Sequence, residues 1–197
     1  MHVGGRRAGL VGRIHRLDER VDAAWERALR GRPLVDRTFY LASELGDFSL
    51  IWHLIGAAQG LRSDEDATAT ARLAVVLLAE SLLVNQGVKR LVRRPRPVHD
   101  AQRPHALRTP STSSFPSGHA SSAFTAAGVL ADRDPALAPL YYGVAVVVAT
   151  SRIHVRIHHA SDVVAGAALG MVLAKVALRA WPLPPHGAPS TPATPTT

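Results

Sequence analysis

An all-α fold, arranged as a polytopic membrane helical bundle of about five apolar helices, is predicted by three features of this 197-residue chain. Five apolar stretches run through it, separated by short polar or proline-bearing segments. Strand signals are poor, because the only β-branched run, 144–148, lies inside a longer apolar stretch suited to a helix. The last stretch carries Gly166 and Gly170, a small-residue spacing that lets two helices approach closely.

Composition narrows the function without choosing the solvent. Lys and Arg number 23 against 15 Asp and Glu, a net charge of +8, which favours partners that carry phosphate. The absence of cysteine excludes disulfide scaffolds, thiol catalysis and Cys-ligated zinc. A mean hydropathy of +0.06 suits a soluble protein as well as a membrane one. Aromatic residues are only 5%, and the cations gather at helix ends rather than along one face, so a nucleic-acid partner is not expected.

Residues 1–37 read as a basic N-terminal segment. Its first sixteen residues are rich in Gly and Arg and hold no run suited to a secretory signal. Leu17, Val21, Trp25 and Leu29 then recur every four residues among Arg16, Arg20, Arg27 and Arg30. That pattern describes an amphipathic helix, fit either to lie on an anionic membrane surface or to dock on the rest of the fold. Residues 38–181 form the helical bundle, with apolar stretches at 48–61, 73–88, 120–131, 135–151 and 163–180. None reaches eighteen uninterrupted apolar residues, so each fits a buried core helix or, extended by its flanks to about twenty, a membrane span. The connection 95–115 is polar, basic and broken by Pro95, Pro97, Pro104 and Pro110; a connection of such length is usually functional or disordered. Residues 182–197 hold six prolines and read as a disordered tail.

Three clusters carry chemistry. Lys89, Arg90, Arg93, Arg94 and Arg96 place five cations in eight residues at the end of the second apolar stretch, and Pro95 and Pro97 stop the helix there. Alone, that cluster is an ordinary positive membrane flank. Ser114 to Ala120 opens the third helix. Pro116 suits a first turn, and the free N–H groups at Ser117, Gly118 and His119 can hold a phosphate oxygen. The third cluster runs from Ser151 to Asp162. If the last helix starts near 158, His158 and Asp162 share a face, and a carboxylate on one ring nitrogen leaves the other free as a nucleophile. His154 and His158 have the same spacing, so a metal site competes with that reading.

Taken together, Lys89-x6-Arg96-Pro97, Pro116-Ser117-Gly118-His119 and Ser151-Arg152-x5-His158-x3-Asp162 resemble the three-part signature of the type-2 phosphatidic acid phosphatase superfamily. All eleven specified positions are present, in order and with the family's spacings. One local departure is Arg156, where family members often have glycine; its charge either adds to the phosphate field or points outward.

The resemblance implies a membrane phosphatase that hydrolyses a lipid phosphate or diphosphate, of phosphatidate or polyprenyl type, in a multi-pass cell-membrane protein. In that scheme Lys89, Arg96 and Arg152 bind phosphoryl oxygens, with Ser117 and the Gly118 N–H as neutral donors. His158 attacks phosphorus, Asp162 orients it, and His119 protonates the leaving group. Neither a cofactor nor a metal is expected, because three fixed cations neutralise the phosphate. The alternative is a soluble or peripheral acid phosphatase acting on small phosphomonoesters. Orientation stays open. Cation counts put the motif-bearing end in the cytoplasm, while the resemblance favours the outer face.

Overall fold

The computed structural model describes residues 3–97, 107–108 and 110–183. Part of the 95–115 connection and all but the first two residues of the expected disordered tail therefore lie outside the described residues. Among them the architecture is helical throughout: α1 (Val3–Ala28), α2 (Pro33–Leu45), α3 (Leu50–Gly60), α4 (Asp64–Leu91), α5 (Gly118–Arg133), α6 (Ala138–His154) and α7 (Ala160–Ala180).

Helix α5 is the hub, packed chiefly against α7 and α6 and then against α4. Its small side chains make this possible. Ala120, Ala123, Ala126 and Ala127 are fully buried, so neighbouring helices close on it from several sides. The glycine pair seats α7 on α5, as its spacing predicts. A Cβ at Gly166 would lie 2.4 Å from the Ser117 carbonyl oxygen, and one at Gly170 would lie 2.2 Å from that of Ser121. Thr125 adds a hydrogen bond to the Gly170 carbonyl at 3.1 Å.

Among the described residues, three helices are long and apolar enough to cross a membrane: Asp64–Leu91, Pro135–His154 and Ala160–Ala180. Leu78, Leu82, Val146, Val164 and Val172 point out of the bundle on these helices, as lipid-facing side chains do. Helices α3 and α5 are shorter, and α5 is shielded by its neighbours. The chain reverses between them so that the end of α4, the start of α5, the end of α6 and the start of α7 meet at one end of the bundle. All three sequence motifs fall at that end.

Helix α4 is one rod with a wide turn in it. Residues Leu82–Val88 take π-helical geometry before Lys89–Leu91 resume the α-helix. A π segment inserts an extra residue into the turn and so rotates everything after it. Lys89 is the first residue to be re-aimed.

Two parts differ from the sequence expectation. Helix α1 starts at Val3, well before Leu17, and the stripe meets the bundle only in its later part, where Val21, Trp25 and Leu29 are half-buried. Leu17 is 58% exposed, whereas Asp18 beside it is buried and Trp25 reaches α6. At the start of the stripe the inward position belongs to Asp18, which makes the buried ion pair treated below. Helix α2 had no counterpart in the apolar stretches, because its short amphipathic run is broken by Asp36, Arg37 and Glu44.

Candidate active site

The motif end opens into a cavity of about 1480 Å³. Lys89, Arg96, Gly118, His119, Arg152 and His158 line it together, although 69 residues separate the first from the last in sequence. Ser117 and Asp162 lie behind the wall, fully buried.

His158 stands in the turn between α6 and α7, not on the helix that the His158–Asp162 spacing suggested. Helix α7 begins at Ala160, with His159 as its N-cap and Asp162 in the first turn. Asp162 Oδ2 accepts the His159 backbone N–H at 2.9 Å, closing a capping box. The same oxygen lies 3.7 Å from His158 Nδ1. On the other side of the ring, Arg96 Nη1 is 3.1 Å from Nε2. A guanidinium can only donate, so Nε2 offers its lone pair there and the ring hydrogen resides on Nδ1, facing Asp162. Burial pushes His158 down to about 3; Asp162 opposes that shift, and Arg152 and Arg96 add to it. The imidazole is therefore neutral at ordinary pH.

Arg96 is held by the loop that follows it. Its guanidinium donates to the carbonyls of Pro110, Ile157, Thr112 and Ser113 at 3.0–3.3 Å. Carbonyls fix the fork without cancelling its charge. The loop is itself tied down: Ser114 Oγ donates to the Pro95 carbonyl, and the Ser114 N–H to that of Arg94, both at 3.0 Å. Arg152, 1% exposed at the end of α6, donates to Ser43 Oγ. Lys89 Nζ and Asn85 Oδ1 each come within 3.4 Å of the place a Gly118 Cβ would occupy, so the ammonium stands at the opening turn of α5. Ser117 caps that turn, accepting the Ala120 N–H at 3.4 Å, and its own N–H donates to the Asp162 carbonyl at 3.0 Å.

His119 faces the opposite wall. Its Nε2 is 3.2 Å from the Ser43 carbonyl and 3.2 Å from Asp47 Oδ1. A carbonyl only accepts, so Nε2 carries a hydrogen and Nδ1 is the nitrogen whose proton can change hands. The approach depends on Gly46, where a Cβ would lie 2.6 Å from the His119 ring.

His154 belongs to a different constellation. Trp25 Nε1 donates to its Nδ1 at 3.1 Å, its Nε2 meets Asp36 Oδ1 at 2.9 Å, and Phe39 stacks on it at 4.6 Å. Both ring nitrogens are engaged away from His158, and among the described residues no group of three His, Asp or Glu converges as metal ligands do. Arg156 adopts φ of +52°, the left-handed region that glycine enters freely. Its side chain turns to Glu26 and Asp22 on α1.

Sequence reading missed Ser43, Asp47, Asn85, Arg94 and Asp18. Arg94 was visible as one of five clustered cations. The others had no local signal, since the residues they meet are distant in sequence.

Comparison with known proteins agrees with this geometry. The PAP2 superfamily model matches residues 69–183. The chain is 38% identical over 151 residues to a decaprenylphosphoryl-5-phosphoribose phosphatase of Mycobacterium tuberculosis, covering 73% of this chain and 81% of that protein. It is 36% identical over 152 residues to the protein of the same name from Mycolicibacterium smegmatis, covering 76% and 81%. Among solved structures, the fold resembles the transmembrane PAP2 type phosphatidylglycerolphosphate phosphatase of Bacillus subtilis (TM-score 0.59, 23% identity, 89% of this chain and 86% of that one). It also resembles Aquifex aeolicus LpxE (TM-score 0.63, 24% identity, 80% and 93%). With the family model spanning more than half of the chain and the three motifs meeting at one cavity, this protein belongs to the PAP2 superfamily and is a multi-pass membrane phosphatase.

Proposed function

We propose that the protein removes the terminal phosphate of a polyprenyl-phosphoryl sugar phosphate, or of a closely similar lipid phosphate, at the cell membrane through a phosphohistidine on His158. One observation carries the chemistry: a buried, neutral His158 presents the Nε2 lone pair to a cavity walled by Lys89, Arg96 and Arg152. The choice of substrate class follows the relatives, which act on a decaprenyl-linked phosphoribose by name.

Phosphoryl oxygens rest on Lys89, Arg96, Arg152 and the N–H groups at the start of α5. Nε2 of His158 forms a bond to phosphorus in line with the departing oxygen, and the P–O bond to the lipid-linked alcohol breaks. Positive charge then develops on the ring, facing Asp162. Burial and Arg152 push His119 down to about 4 while Asp47 opposes the shift, so its Nδ1 takes up a proton only for the reaction and gives it to the departing oxygen. In the second step His119 takes a proton from water, the hydroxide oxygen bonds to phosphorus, and the P–N bond breaks to free phosphate and His158.

The test is phosphate release from a panel of lipid phosphates in detergent, with phosphoenzyme trapped by acid quench. His158→Ala should abolish the phosphoenzyme and lower kcat by about 10⁴-fold or more. Chelator should leave activity intact, and vanadate should inhibit. Activity lost in chelator and restored by zinc or magnesium would overturn the reading.

A further inference from the structure

Arg94, in the first cationic cluster, lies at the cavity wall but is engaged by carboxylates. Its guanidinium lies between two carboxylates: Nη1 is 2.5 Å from Asp162 Oδ1, and Nη2 is 2.6 Å from Asp18 Oδ2. Nη1 also donates to Ser161 Oγ at 2.7 Å. One positive charge between two negative ones offers no field to a third anion.

The division of Asp162 matters more. Oδ1 is held by Arg94, whereas Oδ2 accepts the His159 N–H and faces His158 Nδ1. A carboxylate free to turn part-way about its Cβ–Cγ bond would swing Oδ2 away from the nucleophile. Arg94 prevents this, provided its own side chain is fixed.

Asp18 fixes it. The residue is 3% exposed, on the face of α1 turned to the bundle. Its Oδ1 accepts the Ser161 N–H at 2.8 Å, an unpaired donor of the first turn of α7, and its Oδ2 accepts the Ser161 hydroxyl at 2.8 Å. Asp18 thus ties the end of Arg94 and the start of α7 to one point. Helix α1 lies outside residues 69–183, which the family model matches, so this support is not part of the matched pattern.

We propose that Asp18 and Arg94 are positioning residues for the phosphoryl-transfer step: α1 holds Arg94, Arg94 holds Asp162, and Asp162 holds the His158 ring in line with phosphorus. The proposal rests on the reading of His158 as the nucleophile. Charge and geometry both separate it from a phosphate-binding role for Arg94, and the two roles predict different kinetics. A ligand of phosphate acts on KM and on product affinity. A positioning residue acts on kcat.

The experiment uses the full chain in detergent with p-nitrophenyl phosphate, whose acidic leaving group isolates the nucleophilic step from protonation by His119. Arg94→Gln and Asp18→Asn should each lower kcat by about tenfold to a hundredfold, with KM and inhibition by inorganic phosphate within about twofold of the parent. The double variant should be no slower than Arg94→Gln alone, because both changes interrupt one chain of contacts. Vanadate inhibition should weaken in step with kcat, since it too needs an aligned Nε2. Ser161→Ala, which removes only a hydroxyl from the same junction, provides a milder variant should Asp18→Asn fail to fold; its kcat should fall by about two- to fivefold with KM unchanged. A raised KM at parental kcat, multiplying losses in the double variant, or parental kcat in all variants would overturn the proposal. His158→Ala is run alongside. If it keeps its activity, the nucleophile assignment itself falls; if it is inactive while Asp18 and Arg94 variants are normal, only the positioning role falls.

Discussion

Both ends of this bundle bury arginine, and they do opposite things with it. At the end away from the motifs, Arg133 on α5 meets Asp66 at 3.0 Å and Glu65 at 3.3 Å, and Arg72 on α4 meets Asp132 at 3.3 Å and the Trp181 carbonyl at 3.0 Å. Each guanidinium there faces carboxylate, so the cluster is a clamp between the start of α4 and the ends of α5 and α7. At the motif end, Arg96 meets carbonyls and a histidine, and Arg152 a serine hydroxyl. For Arg96, neutral partners fix geometry and leave charge available. Arg96 and the two arginines of the far end thus differ in the charge of their partners, and Arg94, bracketed by Asp18 and Asp162, obeys the clamp rule inside the site end.

Substitutions at the two ends should separate activity from stability. The largest effect is expected for Arg96→Gln and Arg152→Gln, which remove charge aimed at the transition state; kcat/KM should fall by about 10²- to 10³-fold, with thermal stability in detergent unchanged or raised as like charges part. A parallel drop in melting temperature would show that these arginines are clamps as well. Next comes Arg133→Gln, which takes one cation from the buried Asp66 and leaves Arg62, 3.4 Å from its other oxygen. Unfolding should become easier by about 2–3 kcal/mol, while kcat per folded molecule stays within about twofold of the parent.

Gly166→Ala tests whether the packing that joins the two ends also sets the site. Its Cβ would push on the Ser117 carbonyl and shift the start of α5, so a stability loss of about 1–3 kcal/mol should come with slower turnover. Stability lost without activity lost would mean the cavity tolerates a displaced α5. The smallest effect is expected at Arg156→Gly. Relief of the left-handed backbone is worth about 1 kcal/mol, and the lost exposed pairs with Glu26 and Asp22 take back a similar amount. Melting temperature and kcat should both stay near parental values.

Helical class and the five apolar stretches were legible because they are local, and the motif residues that line the cavity were named from their spacing. Residue periodicity encodes a helix face, Gly166 and Gly170 encode close approach, and the motif residues carry their donors and nucleophile wherever they are placed. Local reading failed where a contact is long-range. Nothing around Asp18 announces Arg94, 76 residues away, and nothing in Asp47 or Ser43 announces His119. The i, i+4 spacing of His158 and Asp162 suggested a shared helix face, yet tertiary packing ended α6 at His154 and began α7 at Ala160, leaving His158 in a turn. The wide turn at Leu82–Val88 is likewise invisible in a sequence that reads as plain helix. By itself the sequence determined which side chains can hold and transfer phosphate, since that is a property of residue type. Only the tertiary structure decided which arginines meet carboxylates and which, like Arg96, meet carbonyls, because charge is cancelled by neighbours in space and not by neighbours in the chain.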